Sequence, residues 1–304
     1  MNLQGQWVWV TGASSGLGKE IATQLARQHR ANLVISARRA DRLEALKAEL
    51  EASAGVQVRT LVLDVANMAD VERAIAEAQG LDLSAVILNA GVGHLGFHHE
   101  LSWADFHAMI QTNVVGTARI TSDLAHWAQQ QRRPLRLMLV TSLQGFIPIP
   151  FQSAYAGTKG FLTNFGLALS QELRGTGVKV QVFAPTGVKT EMTAGARFAK
   201  LSAFLLPVEV VAKQAIRALV KGSPLATSMG FWERVGMALE RLLPRMIAIR
   251  IMGQVYRQSV ESSGSAGGSG AVVGSVLKEL FLPSRNDVPP QLPTPTTPAS
   301  QKAP

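Results

Sequence analysis

Six short runs of consecutive apolar residues, rich in β-branched side chains, punctuate the first two-thirds of the chain: Trp7–Val10, Asn32–Ser36, Val56–Leu63, Ala85–Leu88, Leu135–Thr141 and Val178–Phe183. Such continuous runs are expected of strands covered on both faces. Between them, apolar positions recur every three to four residues in Leu17–Gln28, Asp41–Ala52, Ala69–Gln79, Trp103–Gln130 and Ser153–Arg174, which predicts helices. Strand and helix alternating at this spacing predict an α/β fold with a doubly wound parallel sheet.

After Ala184 the regularity fades. Pro207–Lys221 reads as a helix opened by proline, Leu225–Met229 as at best a short strand, and Gly230–Tyr256 as one or two basic amphipathic helices. From Glu261 the composition turns to Ser and Gly, a flexible linker. Val276–Leu282 has room for two helical turns, and the Pro/Thr-rich end from Pro283 reads as disordered. The expected organisation is one domain over 1–257, with a basic helical extension at 225–257, and a largely disordered tail over 258–304.

Composition narrows the function classes. With 304 residues, 47% apolar and 17% charged, the chain can bury a core. It contains no cysteine, so disulfides, thiolate chemistry and Cys-based zinc sites are excluded. The first strand begins at Trp7 without a basic and then apolar leader, and no run of eighteen apolar residues exists. Pro244, Arg245 and Arg250 interrupt the closest candidate, Leu242–Tyr256. A cytoplasmic protein that does not span a membrane is expected.

Of the net charge of +9, +4 falls within 221–257, where Lys221, Arg234, Arg241, Arg245, Arg250 and Arg257 face only Glu233 and Glu240. No nucleic-acid-binding motif accompanies it, so nucleic acid is not expected as a partner. An anionic cofactor, an anionic substrate or a peripheral contact with an anionic membrane suits the charge better.

The segment Thr11-Gly12-Ala13-Ser14-Ser15-Gly16-Leu17-Gly18 joins the first strand to the first helix. Gly12, Gly16 and Gly18 permit a tight turn that brings backbone N–H groups to a pyrophosphate, and a Cβ there is expected to fill the phosphate site. No Gly-Lys-Ser/Thr ending follows, which argues against an ATP or GTP enzyme.

In order along the chain come this loop, Asp64-Val65, Leu88-Asn89-Ala90-Gly91, Asn113, Ser142, Tyr155-x-x-x-Lys159 and Pro185-Thr186-Gly187-Val188-Lys189-Thr190. Over roughly residues 5 to 225 the sequence resembles the short-chain dehydrogenase/reductase family. The resemblance implies a Rossmann-like fold and an NAD(P)-dependent hydride transfer between nicotinamide and a carbonyl or alcohol. It implies that Gly12, Ser14, Ser15, Gly16, Leu17 and Gly18 cradle the cofactor's phosphates, with Asp64 on the adenine amino group and Val65 against its ring. It also implies that Asn89, Ala90 and Gly91 floor the nicotinamide ribose, and that Val188 and Thr190 hold the carboxamide. Where relatives usually have Pro-Gly, this chain has Pro185-Thr186.

Ala37 stands where NAD-preferring relatives carry an acid, and Arg38 follows it. A guanidinium can bind a 2′-phosphate bidentately, so the expected cofactor is NADP(H). Arg39 reads as a solvated charge at a helix start.

Tyrosine titrates near 10 when unperturbed. Lys159, four residues on and therefore on the same helix face, favours phenolate together with the charge of the oxidised nicotinamide, and the two bring Tyr155 toward working pH as the acid/base. Ser142 is expected to hold the substrate oxygen. The resemblance implies that Asn113 and Lys159 hold a water between them that relays protons to solvent. His94, His98 and His99 lack a carboxylate in ligand register, so no metal is expected.

Apolar residues after Ser142 (Phe146, Ile147, Ile149, Phe151) and after Thr190 (Met192, Phe198, Leu201, Phe204, Leu205, Leu206) predict a hydrophobic carbonyl substrate, such as a 3-oxoacyl thioester or a lipid or steroid-like ketone. The alternatives are an epimerase or dehydratase, and an NADP-binding regulatory protein without catalysis. The sequence leaves open whether the extension covers the pocket, makes a homo-oligomer contact or rests on a membrane.

Overall fold

Every predicted strand forms, and all join one parallel sheet. The computed structural model describes residues 1–228 and 245–261. The strands are β1 (Trp7–Thr11), β2 (Asn32–Ala37), β3 (Val58–Val62), β4 (Leu83–Leu88), β5 (Leu135–Val140), β6 (Val178–Ala184) and β7 (Leu225–Thr227), in the order β3-β2-β1-β4-β5-β6-β7. The helices are α1 (Gly16–His29), α2 (Ala40–Ala54), α3 (Met68–Gln79), α4 (Trp103–Ile110), α5 (Thr117–Gln130), α6 (Ser153–Glu172), α7 (Val208–Lys221) and α8 (Arg245–Glu261).

Alternating strand residues feed opposite layers, because successive side chains point to opposite faces of a sheet. Val8, Val10, Leu33, Ile35, Ala85 and Ile87 pack with α1, α2 and α7. Trp9, Val34, Val86, Leu88, Leu137 and Leu139 pack with α3, α5 and α6. This double burial explains why the strands read as unbroken apolar runs rather than alternating ones. Strand order reverses between β1 and β4, which opens a crevice at the carboxyl ends of the strands.

The structure departs from the sequence expectation in three places. The segment Trp103–Gln130 is not one α-helix, since a π-helical turn over Gln111–Gly116 separates α4 from α5. Asn113 within that turn exchanges hydrogen bonds with the Val92 backbone, and Gly116 lets the Val65 carbonyl approach closer than any side chain would allow. Such turns realign a helix at a fixed point. The weak strand signal at 225–229 becomes β7, paired in parallel with β6. Helix α8 runs to Glu261, beyond the expected boundary at 257, because Ser259 and Val260 are buried. The start of the basic extension (229–244) and the linker and tail (262–304) lie outside the described residues.

Candidate active site

The carboxyl ends of the strands open into a cavity of about 910 Å³ that reaches from the glycine loop to α8. Its cofactor half is built at the crevice. The Thr11 hydroxyl accepts from the Asn89 and Ala90 amides, both at 3.0 Å, and the Asn89 side chain donates to the Thr11 carbonyl at 3.1 Å. The loop after β1 is thereby locked to the loop after β4.

Gly12 and Gly16 adopt φ of +69° and +54°, a region that other residues rarely enter. At Gly12 and Gly18 an added Cβ would meet the protein's own atoms. A Cβ on Gly12 would lie 2.9 Å from the Ala90 Cα, and one on Gly18 would lie 2.5 Å from the Asn89 side-chain nitrogen and collide with the Gly12 carbonyl. These glycines are required by close packing of loop on loop and helix on loop. The cradle this leaves suits a pyrophosphate. Helix α1 has no side-chain cap at Ser15 and no acid in its first turn, so its leading N–H groups and positive end are open to an anion. Leu17 packs beneath the cradle on the core.

The reading of Arg39 as a solvated charge holds only in part, since its side chain is 41% exposed but not free. Its guanidinium donates to Ser14 Oγ at 2.9 Å and Ser15 Oγ at 2.8 Å, so it lies against the cradle. Arg38 is exposed and lines the same cavity. Across the cavity mouth Glu191 pairs with Arg42 at 2.8 Å and Arg39 at 3.4 Å. The Arg42 hydrogen bond, with Arg39 behind it, holds the Glu191 carboxyl below its usual range. That carboxylate ties the segment after β6 to the start of α2.

Asp64 and Val65 follow β3 on the cavity wall. One Asp64 oxygen accepts from the Ala66 amide at 3.0 Å, and Asn67 rather than Asp64 caps α3. On the other side of the crevice, Thr190 packs over Gly16, and Val188 bridges to Leu206. A side chain on Gly91 would meet Asn113 Oδ1 at 3.2 Å and Lys159 Nζ at 3.4 Å, so this glycine keeps the space between them open.

Ser142, Tyr155 and Lys159 converge beside it. Ser142 follows β5, and Tyr155 and Lys159 occupy successive turns at the start of α6. Lys159 is buried, donates to the Val140 carbonyl at 3.0 Å and lies 5.7 Å from the centre of the Tyr155 ring. Burial pushes the Lys159 ammonium down to about 8, so it still carries its proton at neutral pH. Burial pushes Tyr155 up to about 12, against a hydrogen bond from Ser142 that pulls the other way. Desolvation of the phenolate is the larger of the two effects, so within the chain Tyr155 is held in its neutral form.

The Asn113 side chain is engaged at both its oxygen and its nitrogen. Its oxygen accepts from Val92 N at 2.9 Å, and its nitrogen donates to Val92 O at 2.8 Å and Thr158 Oγ1 at 3.0 Å. These contacts give it a clamping role between the β4 loop and α6.

The substrate half is apolar as expected, with Ile147, Ile149, Met192, Phe198, Leu201, Leu205 and Leu206 on its wall. His94, read from sequence only as a rejected metal ligand, lines the cavity, and so do three residues not singled out there: Gln144, Gln152 and Tyr256. Tyr256 arrives on α8 with Met252 and Val255, an i, i+3, i+4 spacing that was the available signal. Gln144 donates to the Tyr256 hydroxyl at 2.9 Å and also to Gln152.

Comparison with known proteins agrees with this arrangement. The family model for short chain dehydrogenases matches residues 6–200. An uncharacterized oxidoreductase of Myxococcus xanthus is 40% identical over 193 residues, which cover 62% of this chain and 74% of that protein. A very-long-chain 3-oxoacyl-CoA reductase of Aspergillus clavatus is 38% identical over 183 residues, 59% of this chain and 52% of that protein, so the chain spans about half the length of this relative. Among solved structures, a short-chain dehydrogenase from Sphingobium yanoikuyae in complex with NADPH aligns with a TM-score of 0.70 at 26% identity, over 78% of this chain and 94% of that one. Sequence match and shared fold thus agree with the site's own geometry: the chain belongs to the short-chain dehydrogenase family, oxidoreductases that act on CH–OH and C=O groups with a nicotinamide cofactor.

Proposed function

We propose that the chain reduces the ketone of a hydrophobic carbonyl compound, with NADPH as the preferred reductant. The observation that carries this reading is the meeting of Ser142, Tyr155 and buried Lys159 where a basic, glycine-built cradle joins an apolar cavity.

The cofactor would be held by Gly12, Ser14, Ser15, Gly16, Leu17 and Gly18 at its phosphates and by Asp64 and Val65 at its adenine. Asn89, Ala90, Gly91, Val188, Thr190 and Lys159 would hold its nicotinamide end. When bound, it supplies the hydride. Tyr155 gives its proton to the substrate oxygen, for which a neutral phenol is the competent form. Ser142 donates to the same oxygen and holds the developing negative charge. The Lys159 ammonium stabilises the phenolate left on Tyr155. Asn113 sets the distance between the floor of the site and α6. NADPH preference rests on the absence of an acid at Ala37 and on the guanidiniums of Arg38 and Arg39, the second already seated on Ser14 and Ser15. For α8 we favour a pocket cover over a membrane contact, because Met252, Val255 and Tyr256 line the cavity.

The test is NADPH oxidation followed with hydrophobic ketones and 3-oxoacyl thioesters, wild type beside Tyr155→Phe. Loss of the acid should lower kcat by about 10²–10⁴-fold. A Tyr155→Phe protein as active as wild type would remove Tyr155 from the mechanism.

A further inference from the structure

We infer that Glu191 is a rival, built into the chain, of the cofactor's 2′-phosphate: its carboxylate occupies arginines that the phosphate needs and so limits the preference for NADPH over NADH. Glu191 is then a specificity-determining residue. This rests on the reading of Arg38 and Arg39 as the 2′-phosphate site.

The donors of Arg39 fix where an incoming anion has to go. A guanidinium carries one N–H on Nε and two on each Nη. Nε donates to Ser14 Oγ at 3.2 Å, and Nη2 donates to Ser14 Oγ at 2.9 Å and Ser15 Oγ at 2.8 Å. These groups are spent on the glycine loop. Nη1 remains for a phosphate, and Glu191 Oε2 already stands on it at 3.4 Å. The other oxygen, Oε1, accepts from Arg42 at 2.8 Å. Of the two acids on the cavity wall, Asp64 accepts from the Ala66 amide, whereas Glu191 sits on the arginines.

The backbone that presents Glu191 is held in place. Thr193 Oγ1 accepts from the Thr190 amide at 3.0 Å and donates to the Val188 carbonyl at 2.7 Å, while Thr190 packs over Gly16 of the cradle. The carboxylate itself is 60% exposed. Ion pairs between such exposed groups are weak and screened, so a phosphate carrying a charge of about −1.5 to −2 can displace this one.

The carboxylate acts against the phosphate whether it swings away or stays. If it swings away, its contacts with Arg39 and Arg42 are lost on binding. If it stays, two anions share one guanidinium and repel each other. NADH carries a ribose hydroxyl at that position, leaves the pair intact and meets neither cost.

The experiment measures Kd for NADPH and for NADH by fluorescence titration at low ionic strength, with wild type and Glu191→Gln. The variant should bind NADPH about 3–10-fold more tightly than wild type, with NADH affinity unchanged. In an Arg39→Leu background the same substitution should bring little or no gain, because the shared guanidinium is gone. Where the Arg39→Leu proteins bind neither cofactor, the single variant decides.

Unchanged NADPH affinity in Glu191→Gln overturns the inference. Weaker NADPH binding overturns it too, since the carboxylate would then be holding the cofactor in. Equal tightening of both cofactors would place the effect at the pyrophosphate and also overturns it. If wild type and Glu191→Gln both bind NADH as tightly as NADPH, the 2′-phosphate reading falls and takes this inference with it, an outcome distinct from the others.

Discussion

The two halves of the cavity are built in different ways. The cofactor half is made of short loops at the ends of β1, β2, β3 and β4, locked by backbone contacts that tolerate no added atom. Gly12 on Ala90, Gly18 on Asn89 and Thr11 on the Asn89 and Ala90 amides leave almost no freedom. The substrate half is assembled from three segments far apart in sequence: 143–151, 191–206 and α8. They meet largely through side chains, as Tyr256 meets Gln144, Arg257 stacks over Phe151 and Gly253 lies against Pro150. A cradle for a constant ligand is set by backbone, where one atom matters. A pocket for a variable ligand is set by side chains, where substitution changes preference before it destroys the site.

That contrast can be broken most severely at Gly18. In Gly18→Val the new side chain collides with the Gly12 carbonyl and the Asn89 amide. NADPH binding should be lost, with destabilisation of about 2–3 kcal/mol typical of overpacking, read by fluorescence titration and thermal melting. A wild-type affinity there would show that the cradle is not rigid.

A smaller effect is expected from Arg38→Leu with Arg39→Leu. Losing charge-assisted hydrogen bonds to a 2′-phosphate should lower the NADPH-to-NADH affinity ratio about 10–100-fold and spare NADH binding. Equal weakening of both cofactors would assign these arginines to the pyrophosphate instead.

The smallest effect belongs to the substrate half. A Cβ on Gly253 already comes within 3.2 Å of Pro150, so Gly253→Leu should push α8 outward. KM for hydrophobic ketones should rise about 3–10-fold while NADPH affinity holds. Matched losses in both would mean that the two halves are coupled, with the Glu191 pairing to Arg39 and Arg42 as the route to examine next.

The same difference decides what could be read from sequence. The strands of the sheet and the cradle are local, since apolar runs, helical spacing and glycine positions within a few residues specify them. The sequence put Ser142 at a strand end and Tyr155 and Lys159 on successive turns of one helix, and the structure has them there. Arg39 was read only in part, because whether an exposed charge at a helix start also folds back on a loop depends on what lies across from it. Here Ser14 and Ser15 lie across from it. The break in the helix at Gln111–Gly116 was invisible for the same reason, as its cause is the Val92 backbone and the Val65 carbonyl.

By itself, then, the sequence determined the parallel sheet and the glycine loop, because each is written in periodicity or in a short spacing, while Ser142, Tyr155 and Lys159 were pointed to by resemblance to a family. Only the tertiary structure decided why Gly18 must be glycine and how burial sets the protonation of Tyr155 and Lys159. It alone brought Tyr256 from near the chain's end to the Ser142 turn. Packing and desolvation depend on neighbours distant in sequence, and no local pattern encodes them.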